Sequence, residues 1–315
     1  MTYVLALVVL ALAFPWGGTW VARRLAGVLP PREACWALTG AAVLLAGGTT
    51  AALIGLFHVP FLASLEQVSL PRVLEVWPAA VPFAVAAGMV MLAQLVLLLR
   101  RWFKHRSLLK RAWQSAGRGT GEGDLLVVPG ADVDAFALPA YRGRRSRVVV
   151  TSGMVRALKA GECEVLLAHE RAHLAGRHHL LSAVVDLATV IHPGLRGLRQ
   201  ALAFHLERWA DEEAAAVVGD RRTVAAAIAR AALAGASHGR TRAGGYPLLS
   251  ATSGPVPQRV EALLLPEPAT ARGRAWRAGV FALAGAVAVT ALAALALAYG
   301  LHEYVEYAAI SVRGY

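Results

Sequence analysis

The residues best equipped for chemistry lie in one apolar stretch, 162–175, where His169, Glu170 and His173 form an H-E-x-x-H pattern. The run reads as a helix, and residues four apart on a helix lie about 40° apart around its axis, so both imidazoles face the same way. Two such imidazoles supply half of a tetrahedral zinc site, and a Glu beside the first can hold and deprotonate a water. Catalytic zinc needs three protein ligands and an open position, and a liganding imidazole needs an acceptor for its other N–H. Glu207 follows His173 by 34 residues, with Asp211 one turn further on. One face of a second helix can thus offer a third ligand and an acceptor for one of the two histidines.

These two helices need a frame, and the frame is apolar. The 315 residues are 57% hydrophobic with mean hydropathy +0.51, too apolar for an ordinary soluble domain. Four uncharged runs are long enough to span a bilayer: residues 2–22, 36–57, 76–99 and 278–301. No Lys or Arg precedes the first run while Arg23 and Arg24 follow it, which favours a retained anchor over a cleaved signal peptide. Pro15, Gly17 and Gly18 could kink or shorten that first helix. The whole net charge of +12 sits between residues 100 and 277, where 27 Lys/Arg face 15 Asp/Glu. By the positive-inside rule the basic loop holding Arg23, Arg24 and Arg32 and the 100–277 segment are cytoplasmic. Both termini and the loop 58–75 then lie outside, at the plasma membrane of a bacterial cell. The expectation is a mainly α, multi-pass membrane protein: three spans in 1–99, a zinc domain with a small β-sheet in 100–277, a fourth span and a short outer tail, 302–315.

Within the zinc domain, three β-like stretches (124–128, 135–138 and 147–151) precede the motif helix. Helices are expected near 179–191, 195–218, 220–236 and 257–265. An oxyanion formed during acyl transfer needs a donor. His205, Arg208, Arg222 and Arg259 are the candidates, although His205, two residues from Glu207, falls on another helix face and reads as structural. Ala135, Phe136, Ala137 and Leu138 could form an edge strand that pairs with an extended substrate, or a plain sheet strand. His178 and His179 read as interfacial or solvent-facing histidines. Asp186, inside an apolar helix, caps it or faces the interior. Cys35 and Cys163 have no spacing that implies a disulfide or a thiolate metal site. Basic charge without a reader motif gives no expectation of direct nucleic-acid binding.

H-E-x-x-H followed by E-x-x-x-D resembles the gluzincin metallopeptidases. Four spans with the zinc domain between the third and fourth resemble, more narrowly, the BlaR/MecR-type membrane peptidases. The segments that carry the likeness are 135–139 (Ala-Phe-Ala-Leu-Pro), 150–153 (Val-Thr-Ser-Gly), 167–173 and 208–215. The resemblance implies His169, His173 and Glu207 as Zn2+ ligands, Glu170 as the catalytic base, and Asp211 as the acceptor that orients His169. It implies a protein substrate, either a winged-helix repressor of the BlaI/MecI kind or the protein itself. Membrane lipids are the other expected partner, and a homo-oligomer is compatible with the sequence. Those receptors carry a penicillin-binding domain after the fourth span. This sequence stops 14 residues past it, so sensing by acylation of such a domain is not expected. Two alternatives stand beside this reading: an HtpX/Ste24-like quality-control protease, and a signalling scaffold with structural zinc. The intact Glu170 speaks against the scaffold, because a structural site has no need of a base.

Overall fold

The computed structural model describes residues 2–65, 69–117, 119–237 and 255–266, with isolated positions beyond. The fourth expected span, the outer tail and the 238–254 connection therefore lie almost wholly outside the described residues.

The first expected span is one continuous helix, α1 (Thr2–Ala26), which passes through Pro15 without ending. Helix α2 (Pro31–Leu65) runs well beyond its expected bounds. A short α3 (Leu70–Val76) then leads into α4 (Ala80–Ala116). The expected loop 58–75 is thus largely helical. Among the described residues two helices are long and apolar enough to cross a membrane, Pro31–His58 and α4, where four spans were expected. Along α4, Val85, Met89, Leu92, Leu95, Val96 and Leu99 are all exposed, an apolar stripe that water would not favour. The same helix continues through its basic end to Trp113, whose indole N–H donates to the Pro139 carbonyl.

A three-stranded sheet follows: β1 (Leu125–Val128), β2 (Ala135–Leu138) and β3 (Arg147–Thr151), ordered β1-β3-β2. β3 pairs parallel with β1 and antiparallel with β2, so β2 is an edge strand. Helix α5 (Ser152–Ala157) begins where the Thr151 hydroxyl accepts from the Met154 N–H. Gly153 is required there, since a Cβ would stand 2.3 Å from the Asp132 carbonyl oxygen.

Helix α6 (Ala160–Ala175) carries the H-E-x-x-H residues, and its N-terminus is held by the Glu162 carboxylate, which accepts from the Lys159 N–H at 3.1 Å. Arg177, in the left-handed region at φ 50°, turns the chain into α7 (His178–Ile191). A 3-10 turn, η1 (Pro193–Leu195), reverses it into α8 (Arg196–Val218). Gly219, at φ 77°, ends α8 in the conformation that glycine adopts most cheaply. Helices α9 (Arg221–Ser237) and α10 (Val256–Leu264) close the described chain.

The membrane-type helices and the zinc-motif helices do not form separate bodies. One core joins Ala22 and Ala26 of α1, Ala34, Cys35, Leu38 and Leu45 of α2, and Leu181 and Val185 of α7. Leu198, Leu202, Leu206 and Trp209 of α8 complete it. The opposite face of α8 packs Ala214 and Ala215 against Val165 and Ala168 of α6, Val224 of α9 and Leu263 of α10. Helix α8 is therefore apolar on two sides, and both are filled.

Candidate metal centre

The residues that meet at the heart of this arrangement come from three helices. α6 presents His169 and His173, α8 presents Glu207 and Asp211, and α10 presents Arg259. One ligand atom from each of His169, His173 and Glu207 lies within 4.8 Å of the others. The two Nε2 atoms stand 3.1 Å apart, and each is 3.6 Å from a different oxygen of Glu207. Ligands at 2.0–2.1 Å in a tetrahedron are separated by about 3.3 Å, so the triangle has the size zinc requires. The converging groups are two imidazole nitrogens and a carboxylate oxygen, the donor types that zinc takes, which is a second sign that the group fits.

Behind this triangle every ligand has a partner. His169 Nδ1 lies 2.9 Å from Asp211 Oδ1, which leaves Nε2 facing the cluster. Asp211 in turn accepts two bonds from Arg259, at 2.8 and 2.7 Å, and Arg259 Nη1 lies 2.9 Å from Glu207 Oε2. Arg259 is 1% exposed. Its guanidinium thus holds two carboxylates in place, a role quite different from the oxyanion donor considered from the sequence.

The electrostatics follow the packing. Burial alone would lower His169, but the Asp211 and Glu207 carboxylates outweigh it and hold the imidazole up to about 10. Burial, with His169 beside it, pushes His173 well below the ordinary range, and the ring stays neutral. Burial also raises Glu207, against the pull of His169 and Arg259. Asp211 is kept low by Arg259 and His169 despite its burial.

Glu170, next to His169 on α6, is fully buried and within electrostatic reach of His169 and Glu207. Burial drives its carboxyl up to about 8, with His169 opposing and Glu207 and Asp134 adding to the rise. Neither carboxylate oxygen has a hydrogen bond of ordinary length. The Ala137 N–H of β2 is the backbone donor that favours its charged form. The edge strand 135–138 thus lies against the helix that carries this group.

His178 is the residue that sequence reasoning placed wrongly. It is buried, not interfacial. Its Nδ1 lies 2.7 Å from His173 Nδ1, and its ring packs on Trp209 at 4.5 Å. Burial lowers it to about 3, so it is a neutral acceptor for the His173 N–H. The i to i+5 spacing could have raised the question, but only the left-handed turn at Arg177 brings the two rings together.

The other sequence candidates lie elsewhere. His205 is about 200° round α8 from Glu207 and stacks edge-on with Phe204. It is buried, and that burial, reinforced by Arg208, lowers it to about 4. The Arg208 guanidinium lies over the Phe204 ring. Arg222 is exposed in the first turn of α9. Neither His205, Arg208 nor Arg222 joins the metal-type cluster. Asp186 faces the interior, between Arg101 and His105 of α4 and Arg199 of α8.

Comparison with known proteins bears on the same segment. Residues 104–242 match the model of Peptidase family M48. No curated protein and no solved structure matches the chain. The M48 peptidases are zinc metallopeptidases, so the match supports a metallopeptidase, and the His169–His173–Glu207 group could hold its metal. The matched stretch takes in the end of α4, the sheet and α5 to α9; α10, with Arg259, lies beyond it.

Proposed function

We propose that the protein is a membrane-anchored zinc endopeptidase whose active site faces the cytoplasm. The observation that carries this reading is the triangle of His169, His173 and Glu207 beside a buried, unpaired Glu170. Zinc held by these three side chains supplies an acidified water and an electrophile for a peptide carbonyl. Glu170 is the base: it takes the proton of the attacking water and passes it to the leaving amine nitrogen. Asp211 fixes the His169 tautomer, and Arg259 keeps Asp211 and Glu207 charged and aligned. The outer side of β2 (Ala135 to Leu138), away from β3, receives the substrate backbone as an added strand.

The cytoplasmic side follows from charge. Arg23, Arg24 and Arg32 and the basic block beginning at Arg100 flank the apolar helices on the side of the zinc helices. Besides the protein itself, the candidate substrate classes are a repressor of the BlaI/MecI kind and a membrane protein undergoing quality control. The core shared by α8 with α1 and α2 favours the second, because it ties Glu207 to the membrane-type helices.

The test compares wild type with Glu170→Gln in membranes, following a candidate repressor and a membrane-protein substrate by gel. Loss of about 10²- to 10⁴-fold in cleavage, with zinc still bound, is expected. Equal cleavage by both proteins would sink the mechanism.

A further inference from the structure

The helices α1 and α4 act as two rulers against which the α7–η1–α8 hairpin can be measured. Asp186 of α7 sits between Arg101, at 3.2 Å, and His105, at 3.0 Å, of α4, while Arg199 of α8 closes on it from the other side at 3.3 Å. Five residues further along α7, the Ile191 carbonyl accepts from Gln94 Nε2 at 2.9 Å. Gln94 precedes Arg101 by seven residues, so the end of α7 lies roughly 10 Å below the arginine level. On α1, His192 Nε2 donates to the Leu12 carbonyl at 2.9 Å and its ring meets Trp16 edge-on at 4.4 Å. Gly197 then passes so close to α1 that a Cβ there would stand 3.1 Å from Thr19 and 3.5 Å from Arg23. Leu12 and Arg23 are eleven residues apart, roughly 16 Å along the helix. Both rulers agree that the chain descends along α7, turns at η1, and climbs back to the arginine level by Arg199.

The composition of the turn suits that depth. Non-helical backbone is tolerated among acyl chains only where its polar groups are met from within. The Ile191 carbonyl is met by Gln94, the Gly194 N–H by His192 Nδ1 at 3.0 Å, and the Leu195 N–H by the His192 carbonyl at 3.1 Å. Leu187, Val190 and Ile191 are half-buried and Pro193 is exposed, all apolar. The one charge below the Asp186–Arg199 level is Arg196, exposed and about one turn beneath Arg199, within snorkelling reach of the headgroups.

We propose that α7–η1–α8 is a re-entrant hairpin whose tip, residues 187–195, is seated in the acyl-chain region of the bilayer. This rests on the reading that α2 and α4 cross the membrane. Its consequence for the site is metric. From Arg199 to Glu207 is eight residues, roughly 12 Å along α8, so the metal cluster stands no further than that above the interfacial arginines. The peptide bonds within reach are those of segments lying at the membrane face, either juxtamembrane stretches of membrane proteins or chains adsorbed on lipid.

The test uses full-length protein, with Cys35→Ser and Cys163→Ser, in phosphatidylcholine/phosphatidylglycerol nanodiscs. An NBD fluorophore is attached at Pro193→Cys or Val190→Cys, with Leu92→Cys on α4 and Arg145→Cys in the β2–β3 connection as references. Quenching by doxyl-phosphatidylcholine and by aqueous iodide is then compared. Both hairpin positions should be quenched by the lipid probe as Leu92→Cys is, and spared by iodide. Iodide quenching at 190 and 193, with the Leu92 label still in lipid, would overturn the hairpin proposal and leave the membrane reading standing. Shielding from both quenchers would also overturn it, because protein would then cover the tip. Iodide quenching at the Leu92 position would remove the membrane reading itself, and the hairpin with it.

Discussion

Glu170 and His178 are both buried polar groups for which the fold gives up solvation, and each is explained by what it faces. An unpaired buried carboxylate costs free energy unless a bound water or cation meets it, and such orphans concentrate at reactive sites. His178 faces the far nitrogen of His173. Removing an acceptor of this kind from a metal-ligating histidine lowers metal affinity by about 10- to 100-fold. His178→Ala should therefore weaken zinc binding by that factor in a chelator competition, while Asp124–Arg171, a surface pair at 2.7 Å between β1's approach and α6, is undisturbed. Unchanged zinc affinity would make His178 a packing residue only. At this scale the sequence was highly legible where chemistry and helical period coincide: His169, His173, Glu207 and Asp211 were all named from spacing. Arg259 and His178 were misread because their partners come from another helix and from a left-handed turn, and spacing encodes neither.

Among the elements, α7 depends most on a single contact. Asp186, buried against Arg101, His105 and Arg199, fastens α7 to both α4 and α8. The hydrogen bond from His105, aided by Arg199 and Arg101, holds its carboxyl below 3.8. A depressed carboxyl contributes stability that is complete above the unfolded value and is lost as pH falls through the folded one. Asp186→Asn should cost about 2 kcal/mol in detergent unfolding at neutral pH, and the gap to wild type should close only below pH 3.8. A gap that persisted under acid would assign the cost to packing. Most helix and strand bounds were readable, since turns at Gly219 and Pro193 punctuate them. The length of α2 and the helix α3 were not: an apolar run followed by Pro60 and two acids looks like a loop, and local sequence does not mark where such a helix ends.

Taken whole, the molecule joins what the sequence divides. The charge profile marks a boundary at Arg100, but Leu198, Leu202, Leu206 and Trp209 of α8 are buried against α1 and α2. A fragment comprising residues 100–277 would leave that face bare, so the fragment should aggregate or bind zinc poorly when expressed alone. Recovery of a monomeric, stoichiometric zinc protein from it would show that the shared core is dispensable. Composition alone could not reveal this contact, because an apolar face looks the same whether lipid, solvent-excluded core or another helix covers it.

The shared core also bears on biosynthesis. α1 and α2 leave the ribosome long before α8, and α8 can take its place only once they are paired and seated. Here Glu207 reaches His169 and His173 through a helix whose bedding is Leu38, Ala42 and Leu45. A copy in which α1 and α2 have not paired would therefore lack that bedding, so assembly of the apolar helices would come before assembly of the metal triangle.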